Sequence, residues 1–174
     1  MLNFLGKSAA RKERGRALEQ QVTARALAPV FFTKFGVPDT MDGRFDMVAL
    51  HAWLALAWLK SSGQDEAAQG LTDALFIGFD EALREQGISD MGMGRRMKAL
   101  ADAFYGRLAA YDAVKDHQQL AEALARNVWR GAAVDEKARA LASYAEGARA
   151  ALALALAGTL DFGPAASSSE DHKK

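Results

Sequence analysis

Carboxylates, guanidiniums and imidazoles are the side chains in this sequence whose spacing could do chemistry. Asp39, Asp42 and Asp46 flank Gly43, which invites comparison with a calcium loop. Such a loop needs oxygen ligands at alternate positions before its glycine and a glutamate six residues after it. Met41 occupies one alternate position, and Ala49 stands where the glutamate should be. The spacing reads as a capped turn with a glycine hinge, and no metal site is assigned.

The histidines, His51, His117 and His172, lie far apart in the chain. His51 sits in the most apolar stretch and reads first as a buried, hydrogen-bonded structural residue. A haem or small-ligand carrier centred on His51 stays open as a rival, although a bis-histidine site would have to recruit His117. Arg95, Arg96 and Lys98 form the densest internal basic cluster. Arg107 falls about three helical turns beyond Arg96, on nearly the same side. Two readings of the cluster stay open. One is a solvated face with ion pairs such as Lys98–Asp102. The other is a docking patch for an acidic partner, lipid headgroups or ribosomal RNA.

Catalytic chemistry finds little support. The absence of cysteine excludes disulfides, thiolate metal sites and cysteine nucleophiles. Gly92-Met-Gly94 precedes Arg95 and Arg96, but no strand leads into it, as a phosphate-binding fingerprint requires. No serine has the strand–turn–helix setting of a nucleophile elbow. No catalytic residue is assigned, no cofactor is expected, and the chain is not expected to be an enzyme. A formal net charge of zero gives no whole-chain attraction to nucleic acid, so DNA is not an expected partner.

The elements that must position these groups are helices. At 174 residues the chain suits one domain with a real core, and its prolines are limited to Pro29, Pro38 and Pro164. Strong helix formers and few breakers predict an all-α fold, a single compact domain of about six helices. A helix is expected from about residue 17 to residue 32, kinked or ended by Pro29. Thr40 or Asp42 should cap the next one. Its run from Phe45 to Leu59 is apolar on every side apart from Asp46 and His51. That run spans about 22 Å at ~1.5 Å per residue, short of the roughly 30 Å of a bilayer core, so it is expected as a buried central helix.

Further helices are expected at about 65–86, closed by Gly87; at 90–115, capped by Ser89 or Asp90; at 118–129; and from 136 onward, capped by Asp135. In the second of these, Met93, Met97, Leu100, Phe104, Leu108 and Tyr111 make the inward stripe. The alternating Ala–Leu run at 150–157 could mimic a strand, but alanine is depleted in strands and no turn precedes it. The boundaries expected are a basic segment at 1–16, the helical domain at 17–162 and a disordered tail at 163–174. For the first segment two readings remain. One is a frayed terminus; the other is a membrane-surface contact with Leu2, Phe4 and Leu5 as a wedge and Lys7, Arg11, Lys12, Arg14 and Arg16 facing anionic lipid.

Three blocks carry a family resemblance. The first is Gly36-Val-Pro-Asp39 with Asp42-Gly-Arg-Phe-Asp46, continuing to Leu50-His51. The second is Leu83-Arg-Glu-Gln-Gly-Ile-Ser-Asp90. The third is Arg96-Met-Lys98 followed by Phe104-Tyr-Gly-Arg107 and Tyr111. In order, and over roughly residues 20–115, they resemble the ubiquinol–cytochrome c chaperone family. Pro38, Gly43, Phe45, Asp46, His51, Arg84, Gly87, Asp90, Phe104, Gly106 and Tyr111 are its signature positions here. Phe32 stands where a tyrosine is common, so no role for that hydroxyl carries over.

The resemblance implies a non-enzymatic chaperone for assembly of the cytochrome bc1 complex, respiratory complex III, that binds newly made cytochrome b. It also implies, as in mitochondrial relatives, contacts with the ribosome and a small partner chaperone. Without a long extension ahead of the domain, it implies a bacterial form. That form would work in the cytoplasm, peripheral on the cytoplasmic face of the inner membrane. The candidate partner-binding residues are Asp39, Asp42 and Arg44 on the turn, with Arg95, Arg96, Lys98 and Arg107 on the basic face. Such a client suits helix-in-groove binding, and Met91, Met93 and Met97 are either an adaptable rim or core.

Overall fold

Alanine- and leucine-rich runs punctuated by capping residues form seven helices among the described residues. The computed structural model describes residues 2–87, 90–131, 133–155 and 159–165, the side chains of residues 2–7 and 90 excepted. The order is α1 (Leu2–Ala26), α2 (Pro29–Thr33), α3 (Met41–Ser61), α4 (Asp65–Glu85), α5 (Asp90–Asp112), α6 (His117–Val128) and α7 (Glu136–Leu154). The one-turn α2 leaves six substantial helices in one all-α domain.

The apolar α3 is the centre, as its sequence predicts. It buries every residue from Asp46 to Leu56, and α1, α4, α5, α6 and α7 all pack around it. Leu50 and Leu54, almost wholly buried, contribute about 1.5–3 kcal/mol each relative to exposed leucines. Of the two candidate caps for α3, Thr40 serves: its hydroxyl accepts from the Gly43 N–H at 3.1 Å. Asp135 caps α7 through the Ala138 N–H at 3.0 Å. Ser89 and the side chain of Asp90, the candidates for α5, lie outside the described residues. Gly87 takes the left-handed φ of +77° just past the α4 C-cap, the conformation that glycine adopts without steric penalty.

The expected boundaries shift at both ends. α1 runs unbroken through residue 16, where the basic segment was expected to stop. Arg14 donates to the Gln64 side chain. Gly15 lies against Gly70, so close that a Cβ on Gly15 would sit 2.2 Å from the Gly70 carbonyl oxygen. This backbone contact fixes α1 on α4, and the two run parallel, Glu19 reaching Gly78 further along. The helix breaks before Pro29, which opens α2, where a missing N–H goes unused. α5 ends at Asp112, a little before the expected residue 115.

At the other end α7 ends at Leu154, and the rest of the Ala–Leu run, 156–158, lies outside the described residues. The chain then turns back as a strap. Leu160 and Phe162 are buried, the Leu160 N–H donates to the Gln21 side chain at 2.9 Å, and Arg25 donates to the Gly163 carbonyl. Gly163 is therefore held on the core and does not begin a free tail, because Arg25 and α7 supply contacts that composition does not reveal. Residues 166–174 lie outside the described residues.

Candidate partner-binding groove

The α5 stripe Met93–Tyr111 turns inward, leaving a second face of the same helix open. Arg96, Ala99, Ala103 and Arg107 follow one another at three- and four-residue steps along that face and, with the half-buried Leu100 at the edge of the stripe, wall a groove of about 960 Å³. Phe45 and Val48 of α3 and Phe79 and Leu83 of α4 supply its apolar surface. Asp42 and Arg44 from the first turn of α3, Glu19 of α1, Glu85 of α4, and Arg126, Asn127 and Arg130 from the end of α6 supply its polar rim. Ala99 is exposed on this face. A helix face carrying alanines between leucine and arginine, and open at Ala99, is shaped to receive another helix.

Beside the groove stands a buried charge cluster. Asp46 has no exposed surface. Arg107 Nε donates to one of its oxygens at 2.5 Å and Arg130 Nη1 to the other at 2.8 Å. Arg130 also reaches Asp42 at 3.4 Å and donates to the Asn127 carbonyl. Burial raises the Asp46 carboxyl above the ordinary carboxylate range, and the Arg107 and Arg130 guanidiniums pull it back down. Arg130 adopts φ +56°, a left-handed conformation that costs a non-glycine residue about 1–2 kcal/mol. Its hold on two aspartates offsets that cost.

Of the two readings of the basic cluster, the solvated face does not fit Arg107. Its side chain is only 15% exposed, and its guanidinium lies 4.8 Å from the Phe45 ring centre. It faces the groove and Asp46, not bulk solvent. Lys98 pairs with Asp102 at 2.8 Å on an exposed surface. Lys98 and Arg95 both lie off the groove. Asp39 also lies off it, paired with Arg44 at 2.8 Å. The turn and the basic face therefore meet in the groove through Asp42, Arg44, Arg96 and Arg107 only. Asp39, Asp42 and Asp46 each face an arginine, which is the opposite of a cation loop. Met93 is buried and Met97 half-buried, whereas Met91 is 99% exposed, so only Met91 is free to form a rim.

The remaining signature positions are mostly structural. Phe104 and Tyr111 are fully buried, and Phe104 packs edge-on against Phe76 and Phe79. Arg84 pairs with Asp80 at 2.7 Å. The Pro38 carbonyl accepts from the Thr40 N–H and lies against Gly43. A Cβ on Gly106 would meet nothing within 4 Å, so nothing in the structure explains that glycine.

His51 is wholly buried at the centre of a relay. Its Nδ1 donates to the Met47 carbonyl at 2.8 Å, and its Nε2 accepts from the Tyr144 hydroxyl at 2.8 Å. Tyr144 in turn accepts from Arg25 Nε at 3.0 Å, and the Phe31 and Phe162 rings stand edge-on to the imidazole. Both ring nitrogens are engaged by protein, which leaves no lone pair for haem iron; the carrier reading does not fit this geometry. Arg25, Tyr144, Phe162 and Arg130 escaped the sequence reading. For Arg130, the glycine that follows it at a helix end was the available signal.

Burial holds the His51 imidazole at about 4, with the Met47 carbonyl opposing and the Arg25 charge reinforcing the depression. The folded protein thus binds fewer protons than the unfolded chain, and stability is lost as pH falls below the unfolded value of about 6.5. At pH 5 the loss from this group is about 2 kcal/mol. Asp46, shifted upward, works in the opposite direction, so the slope must be isolated by substitution. Urea unfolding at pH 7 and pH 5 should show the loss in the native protein and a flatter profile in His51→Asn. The same slope in both proteins would reject the assignment.

Three comparisons bear on this geometry. The sequence profile of the ubiquinol–cytochrome C chaperone family matches residues 33–158. The ubiquinol-cytochrome-c reductase complex assembly factor 1 of Xenopus laevis is 26% identical over 102 residues, which is 56% of this chain and 51% of the relative. The chain therefore spans about half the length of that relative. The crystal structure of the Cbp3 homolog from Brucella abortus matches with a TM-score of 0.81 at 34% identity, covering 94% of this chain and 96% of that one. The groove and the Asp46 cluster fall almost entirely within the matched stretch. The chain belongs to the ubiquinol–cytochrome c chaperone family.

Proposed function

We propose that this chain is a non-enzymatic chaperone for assembly of the bc1 complex, and that it holds an apolar segment of newly made cytochrome b in the α4–α5 groove. The groove carries the proposal: a helix face of small and apolar residues, unpartnered among the described residues, beside a charged rim. A nascent polytopic membrane protein presents apolar helices before it has its own partners. An amphipathic trough can cover one side of such a helix until assembly proceeds. Family membership and the assembly role in the name of the Xenopus relative support this client.

No helix among the described residues is long and apolar enough to cross a membrane, so any membrane contact proposed here is peripheral. Gly15 meets Gly70, five residues into α4, and the two helices are parallel. The first eight or so residues of α1 thus run about 12 Å beyond the start of α4. Leu2, Phe4, Leu5 and Lys7 fall on this projection, and Arg11, Lys12, Arg14 and Arg16 follow it alongside α4, an order that suits contact with anionic lipid on the cytoplasmic face.

Deleting the gene should lower assembled bc1 complex and cytochrome b protein while leaving cytochrome b mRNA unchanged. A photocrosslinker at Leu100 should capture cytochrome b during its synthesis. One at Lys98, outside the groove, tests for a ribosome or small partner chaperone contact. Complementation with a chain lacking residues 2–7 should restore the fold but less of the complex, with less protein in the membrane fraction. Normal bc1 levels in the deletion strain would refute the assembly role, and undiminished membrane recovery would refute the lipid contact.

A further inference from the structure

The arginines around the groove are not equivalent. Arg44 is bonded to Asp39, and Arg107 and Arg130 share Asp46. Arg96 on α5 and Arg126 on α6 line the same groove, are exposed, and have no carboxylate partner among the described residues. We propose that Arg96 and Arg126 select an apolar helix that carries a carboxylate, so that the groove recognises an acidic amphipathic segment rather than any hydrophobic one. This rests on the groove being the client site.

The physical basis is asymmetric. A helix seated in the groove would cover the Arg96 and Arg126 guanidiniums that line it and remove much of their water. Covering a guanidinium with apolar atoms alone is unfavourable, and a second cation beside it adds repulsion. A glutamate or aspartate instead supplies two oxygens to the planar donor fork. The unpaired pair therefore penalises neutral and basic helices while rewarding acidic ones, which is how discrimination is built from an unmet charge. Arg107 and Arg130 do not compete for the ligand, because Asp46 already occupies them.

The shape favours a peptide helix over a lipid headgroup. The wall from Arg96 to Arg107 is about three helical turns, roughly 16 Å, with Ala99 and Ala103 between its ends. Close approach of a second helix backbone needs such small residues. A phosphate would satisfy the arginines but would leave this alanine-lined length uncovered.

The test uses the purified full chain and fluorescent, alanine- and leucine-rich helical peptides of about 18 residues. The peptides are identical except for Glu, Gln or Lys at one central position, and binding is read by anisotropy. The Glu peptide should bind about tenfold more tightly than the Gln peptide, and the Lys peptide weakest. In Arg96→Gln/Arg126→Gln, exposed changes that leave the core intact, the preference should fall below about twofold, the Glu peptide binding more weakly and the Gln peptide no longer penalised by two covered, unpaired guanidiniums.

Equal binding of Glu and Gln peptides to the native protein, or an undiminished preference in the double variant, would overturn the proposal. Ala99→Trp separates the two levels of inference. If it abolishes binding while Glu and Gln peptides bind alike, only carboxylate selection fails. If no peptide binds, or Ala99→Trp changes nothing, the groove itself is not the site. Binding of phosphatidylglycerol vesicles that requires both arginines, with no peptide preference, would assign the pair to lipid and also overturn it.

Discussion

Asp46→Ala should lower the free energy of unfolding by about 3–5 kcal/mol, read from urea midpoints at pH 7. The loss does not come from the carboxylate as such. It comes from Arg107, which keeps its charge in a site only 15% exposed and loses its principal partner. Arg130, about half exposed, can turn to water and suffers less. The mechanism has its own check: Asp46→Ala/Arg107→Met should recover part of the loss, because an apolar pair replaces a stranded cation. A fall of under about 1 kcal/mol in the single variant would show that the cluster does not hold α3 to α5 and the end of α6. So would a double variant whose effects merely add.

Gly43→Ala should be nearly as damaging, at about 2–4 kcal/mol. A Cβ there would lie 2.0 Å from the Pro38 carbonyl oxygen, which is backbone and cannot swing away. The first turn of α3 would have to move, taking with it the Thr40 cap and the line of Asp42, Arg44 and Phe45 into the groove. Gly106→Ala is the matched control. Its Cβ would meet nothing within 4 Å, and alanine is favoured over glycine inside a helix by about 1 kcal/mol. Two glycines from the same sequence signature should thus shift the thermal midpoint in opposite directions. A Gly43→Ala protein as stable as the native one would remove the steric account of the signature.

Helices were legible in the sequence because their signals are local. The α5 stripe repeats at three and four residues, the all-round apolar run marks α3 as central, and Asp135 announces α7. The resemblance blocks were legible for the same reason, since each is a short string. What escaped depends on partners distant along the chain. Arg96 and Arg107 do face one groove, as their spacing predicts. Yet the inward turn of Arg107 is set by Asp46, 61 residues away, and Arg130 meets the same carboxylate 84 residues away. No periodicity links such positions. That α1 runs on through the basic segment was not legible, because composition cannot show that Gly15 abuts Gly70. His51 was correctly placed as buried, but its relay to Tyr144 and Arg25 joins three helices that only the fold brings together.

The strap at Leu160–Gly163 has a consequence for when this molecule becomes whole. Its bonds to Gln21 and Arg25 close loops of 139 and 138 residues, and Phe162 is one of the last rings over His51. Loop closure on that scale is entropically slow, and contacts so distant along the chain form late. During synthesis α1 leaves the ribosome long before α4, its parallel partner, and longer still before the strap that finishes its inner surface. Of the seven described helices, α1 is therefore made before the others yet is among the last to be fully packed. A chain cut short before Leu160 would leave the Arg25–Tyr144–His51 centre uncovered, so completion of the core waits on the strap.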